Sequence, residues 1–151
     1  MTQAHRYVEA PHYYHGDQPA LFLAGGISNC PDWQATLRPL LADSVWVLLN
    51  PRRTDFPMHD PHAAAEQIEW EFQHLRLASA VLFWFPCETL CPITLYELGA
   101  WSMTSKPLFI GTHPAYQRRP DVLIQTRLAR PDITVVDSLP ALAQQILQFK
   151  R

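Results

Sequence analysis

The segment "PITLYELGAW" (Pro92–Trp101) places a single carboxylate, Glu97, among Leu95, Tyr96, Leu98 and Gly99, just past the apolar run "VLFWFP". No other charged residue lies between Thr89 and Ser105, so Glu97 does not belong to a solvated charged face. The partial positive charge of a helix N-terminus favours a carboxylate. Gly99, without a side chain, would let a ligand or another backbone come close. An isolated acid at the mouth of a cleft is a candidate functional group. Two further acids, Glu69 and Glu71, flank Trp70. Two residues apart on a helix, they point in different directions, and at most one can enter the same cleft. Periodicity alone does not choose between them.

The remaining polar groups each have a bland reading beside the functional one. "AGGISN" (Ala24–Asn29) is a glycine turn whose backbone N–H groups could face a phosphate or a sugar, but it lacks the G-x-G-x-x-G dinucleotide fingerprint. "NPRR" (Asn50–Arg53) offers two guanidinium groups that could bind an anion, pair with Asp55 or Asp60, or simply solvate a loop. His59, His62 and Glu66 do not complete a four-ligand metal set. Cys87 and Cys91 are separated by three residues rather than the two of common zinc ribbons. No metal and no cofactor are therefore expected. A Cys–His nucleophile pair has no base partner marked by spacing.

These residues need elements to hold them. "ALFLAGG", "SVWVLLN", "AVLFWFP", "PLFIG" and "ITVVD" read as five strands that are apolar throughout. Between and after them, "DWQATLRPLLA", "AAAEQIEWEFQHLRLAS", "PITLYELGAWSMTS" and "LPALAQQILQFK" read as helices. Pro39 should kink or shorten the first, and Pro92 suits the first position of the third. In the longest, Ile68, Phe72, Leu75 and Ala78 or Ser79 form the expected apolar stripe. "HPAYQRRPDVLIQTRLARP" reads as a basic loop with one helical segment. Residues 1–19 are taken as an irregular N-terminal arm and residues 20–151 as one domain. Apolar strands alternating with helices predict an α/β, flavodoxin-like (Rossmann-like) three-layer sandwich around a five-stranded parallel sheet. Ligands of such sheets sit beyond the carboxyl ends of the strands. That rule gathers Gly25, Gly26, Ile27 and Ser28, then Asn50, Arg52 and Arg53, then Pro86 and Thr89, on the rim that Glu97 leaves.

The chain has 151 residues, 48% hydrophobic and 17% charged, with net charge −2, which suits one folded core and gives no basic surplus for a nucleic acid polymer. No run is long enough for a membrane span, and the N-terminus has no apolar secretion signal. Three cysteines, Cys30, Cys87 and Cys91, fit reduced thiols and a cytoplasmic location.

Taken in order, "LFLAGGISN", "WQ", "NPRR", "IEWEFQHLRLASAVLFWFP", "ETLCPITLYELGA" and "RRPDVLIQT" resemble the nucleoside 2-deoxyribosyltransferase-like family. The resemblance covers roughly Ala20 to Thr126, and its sharpest motif is "ELG" at Glu97–Gly99. It implies cleavage of the N-glycosidic bond of a nucleoside or nucleoside 5′-monophosphate, with transfer to another base or to water. Glu97 matches the family's nucleophile, with the helix N-terminus expected to keep it ionised. A second acid should protonate the leaving base. Glu71 is the choice and Glu69 the reserve, otherwise a substrate contact. The family's "AD" before the third strand is replaced by Ser79–Ala80, and no Arg follows Ser28 and Asn29 where phosphate-binding relatives carry one. The resemblance further implies a homodimer or larger assembly, to which the 112–130 loop is a candidate contributor. The alternative is a non-catalytic nucleotide-sensing module of the same fold. A phosphoribohydrolase would need a glycine-rich phosphate loop, which is missing.

Overall fold

The structure, a computed structural model, describes residues 6–150. Five parallel strands run in the order β1-β3-β2-β4-β5. In chain order the strands are β1 (Tyr7–Glu9), β2 (Ala20–Gly25), β3 (Val47–Asn50), β4 (Ala80–Phe85) and β5 (Leu108–Thr112). The helices are α1 (Trp33–Leu40), α2 (Ala63–Leu77), α3 (Pro92–Ser102), α4 (Arg119–Ala129) and α5 (Leu139–Gln148).

Alternation along each strand builds the two cores. On β2, Phe22 and Ala24 join the core that Trp70, Leu75, Leu98 and Val122 supply from α2, α3 and α4. Leu21 and Leu23 join the opposite core, filled by Trp33 and Leu37 of α1 and Leu142, Ala143 and Ile146 of α5. Helices on both faces explain why β2, β3, β4 and β5 are buried along nearly their whole length. The flavodoxin-like three-layer sandwich holds. From β2 the chain goes through α1 to β3 on one side, then through α2 back to β4 on the other, so the switch point lies between β2 and β4.

Two elements differ from the sequence reading. "ITVVD" is not a strand: its backbone joins the sheet at one parallel bridge, Val136 to Gly111, while Ile133 and Val135 pack against the core. The fifth strand is β1, from the segment read as an irregular arm, paired in parallel with β3 from Tyr7–Leu48 to Glu9–Asn50. Three residues at a sheet edge are too short to show a period. In α2 the buried residues are Ala63, Trp70, His74 and Leu75, while Ile68 and Phe72 are exposed. The core-facing stripe contains a histidine because His74 is satisfied on both ring nitrogens, by the Tyr14 N–H at 3.1 Å and the Trp70 carbonyl at 2.8 Å. α1 ends one residue past Pro39, as that proline foretold, and starts on an Asp32 side-chain cap that accepts from the Ala35 N–H.

Candidate active site

Glu71 of α2 and Glu97 of α3 lie near enough for the charge of Glu71 to act on the Glu97 carboxyl. Both are partly buried. Burial pushes the Glu97 carboxyl up to about 8, and the charge of Glu71 adds to that rise. Burial also raises Glu71, while a hydrogen bond from Gln67 works the other way. Both carboxyls hold a proton more tightly than free ones do, and because they interact, their ionisations belong to the pair. Glu97 has no hydrogen-bond donor among the described residues, and an added Cβ at Gly99 would meet nothing within 4 Å.

The expectation that a helix N-terminus keeps Glu97 ionised is corrected here. Glu97 is the sixth residue of α3, beyond the first turn in which the helix end exerts its field. Desolvation outweighs it. Stability follows from the sign of the shift. A carboxyl raised from 4.5 to about 8 binds its proton more tightly when folded. Its contribution is fully present below pH 4.5 and is lost as pH rises towards 8. Glu97→Gln, which cannot ionise, should match the wild type at pH 4 and exceed it at pH 8 by on the order of 2–4 kcal/mol. Thermal melts at the two pH values test this; an equal difference at both would contradict it.

Glu69 is exposed, on a different face of α2 from Glu71, so the structure does not bring it to the pair. The two arginines are at the rim but engaged. Arg52 forms an ion pair with Asp32 at 3.2 Å and donates to the carbonyls of Ile27, Cys30 and Pro31 and to Gln34 Oε1. It thus staples the β2–α1 loop rather than presenting a free cation. Arg53 pairs with Glu66 at 3.1 Å and lies over the Phe56 ring. Neither pairs with Asp55 or Asp60. Asn50 is buried, donating to Tyr7 Oη at 2.8 Å and accepting from the Arg52 N–H at 2.9 Å.

Gly25 and Gly26 serve close packing. A Cβ on Gly25 would collide with the Trp33 ring, whose Nε1–H donates to the Gly26 carbonyl at 2.8 Å. A Cβ on Gly26 would lie 3.0 Å from both the Cys30 and the Cys91 sulfurs. The loop then continues through Ile27 and the exposed Ser28. Across the cleft, Pro86 is buried at the end of β4 and Thr89 is half-buried, its carbonyl facing the Cys91 thiol at 3.6 Å. Burial pushes that thiol up to about 12, which keeps it neutral and unsuited to nucleophilic work.

Sequence reasoning passed over Gln67. It lies one turn before Glu71 on the same helix face, and its Nε2 donates to the Pro51 carbonyl at 2.6 Å and to Glu71 Oε1 at 3.2 Å. The i, i+4 spacing of an amide and a carboxylate was the available signal.

The concavities of about 260 Å3 beside Arg38 and Trp46, and of about 230 Å3 between α3 and α4, contain neither acid. Apolar side chains adjoin the pair in sequence and are exposed: Ile68, Phe72, Ile93 and Tyr96. No helix among the described residues is long and apolar enough to cross a membrane.

A family model described as "Nucleoside 2-deoxyribosyltransferase like" matches residues 18–116, from the start of β2 through the loop after β5. No curated protein matches the chain.

Proposed function

For a chain that belongs to the nucleoside 2-deoxyribosyltransferase-like family, we propose cleavage of the N-glycosidic bond of a nucleoside or nucleoside 5′-monophosphate through a glycosyl ester on Glu97. Membership of that family points to glycosyl transfer at nucleoside substrates. The observation that carries the finer reading is the coupling of Glu71 and Glu97. In its ionised form Glu97 attacks C1′ as the bond from C1′ to the base nitrogen breaks. Glu71 gives its proton to the departing base. A second base or water then attacks C1′, Glu71 takes the proton released, and the ester bond to Glu97 opens. Two carboxyls flanking an oxocarbenium-like centre are the arrangement of retaining glycoside chemistry. The reactive form is the singly protonated pair with its proton on Glu71 and Glu97 as the anion.

Incubation with a panel of nucleosides and their 5′-monophosphates, read by release of free base, tests the proposal. Release should reach a maximum in the pH range where the pair holds one proton, falling at lower pH and again as pH passes about 8. The same panel tests a second reading, a nucleotide-sensing module. It draws support from the raised proton affinity of Glu97, whose acid form could donate a hydrogen bond to a bound ligand. Binding without release of base would favour it.

The exposed apolar residues Ile68, Phe72, Ile93 and Tyr96 support a homodimer or larger assembly, in which a second copy covers Phe72 and Tyr96. Light scattering at tens of micromolar should give at least twice the 17.3 kDa chain mass. A monomer at that concentration would contradict the assembly.

A further inference from the structure

Gln67 is held in one orientation by groups on both sides. The Pro51 carbonyl can only accept, so the Gln67 nitrogen must face it, at 2.6 Å. The second hydrogen of that nitrogen then points to Glu71 Oε1 at 3.2 Å. A flipped amide would set its oxygen against the Pro51 oxygen and the Glu71 carboxyl, two lone-pair contacts in place of two hydrogen bonds. The orientation has a cost: Gln67 Oε1 is buried without a hydrogen-bond donor. An orphaned buried acceptor is a cost to the folded state, carried here to hold the amide in this orientation.

We propose that Gln67 is a positioning residue for Glu71: its N–H occupies Oε1, leaving Oε2 as the oxygen that carries the proton to the departing base. The inference rests on the proposed bond cleavage and extends it to a residue that touches neither sugar nor base. A carboxylic acid whose carbonyl oxygen accepts an N–H keeps its O–H on the other oxygen, so the acid has one direction of donation rather than two. Pro51 follows β3 directly, and the same amide therefore ties the β3–α2 loop to Glu71. Gln67 also stabilises the charged form of Glu71, and so the singly ionised pair relative to the neutral one.

The test uses Gln67→Met and Gln67→Leu, both good helix formers of similar bulk that donate no hydrogen bond. Two substrates are compared: an ordinary purine nucleoside, and an N7-alkylated purine nucleoside whose cationic base leaves without being protonated. Turnover of the first should fall about tenfold to a hundredfold, the range of one lost charge-assisted hydrogen bond. Turnover of the second should stay within about threefold, and KM for both should change little. The acidic limb of the pH profile should move to higher pH, because the singly ionised pair has lost its donor. A purely structural Gln67 would lower both substrates equally with the limb unmoved, and that result, or unchanged turnover of both, overturns the inference while the proposed function stands. Failure of the wild-type protein to release base from either substrate overturns the proposed function itself. If one variant fails to fold, the other carries the comparison.

Discussion

Glu97→Ala should lower turnover by at least about a thousandfold, roughly 4 kcal/mol of barrier, in a protein that still folds. The loss is large because no other carboxylate is placed to take over: Glu71 is drawn towards Gln67, and Glu69 faces away. The fold should survive because Glu97 holds no hydrogen bond to the described residues, and its charge is a cost to the folded state. Substrate binding should fall much less than turnover, since the bond from Glu97 to C1′ forms only along the reaction. Steady-state kinetics with circular dichroism on the same preparation reads both quantities. Near-normal turnover in folded Glu97→Ala would remove Glu97 as nucleophile.

Glu71→Gln should slow release of poor leaving bases by about a hundredfold or more, the scale of a lost general acid. Nucleosides with activated leaving groups should be largely rescued, because they need little or no proton donation. The variant also removes the charge that helps hold Glu97 up at about 8, so the Glu97 carboxyl should ionise at lower pH. For activated substrates, which need only the Glu97 anion, the fall above about pH 8 should then disappear, a change in the alkaline limb, whereas Gln67→Met moves the acidic one. Equal losses on both classes of substrate would assign Glu71 to structure.

Much of this architecture was legible in the residues. The continuous apolar runs at Ala20–Gly25 and Ala80–Phe85 read as strands covered on both faces, and they are buried along nearly their whole length. β1 escaped notice because Tyr7–Glu9 gains its strand character from pairing with β3, a tertiary contact rather than a local preference. "ITVVD" misled for the converse reason: β-branched residues suit a strand, yet the chain there meets the sheet at one bridge. The choice of Glu71 over Glu69 rested on a resemblance; α2 leaves Glu71 partly buried and Glu69 exposed, with Trp70 and His74 held against the core and the arm. The engagement of Arg52 could not be read from "NPRR", since its partners are mostly backbone carbonyls of a loop some 20 residues earlier. The raised Glu97 affinity was equally hidden: a helix-terminus argument needs the acid within the first turn, and the boundary of α3 decides that.

The most direct test of the central claim is covalent trapping. A nucleoside carrying fluorine at C2′ destabilises the oxocarbenium-like transition states, and the second step then leaves the sugar on the protein long enough to isolate. Intact-mass and peptide-mass measurement after incubation should show one fluorosugar added per chain, on the peptide containing "LYELGAW" and on Glu97 within it. An adduct on a different residue, or base release from the fluorinated substrate with no adduct at any time point, would contradict the account.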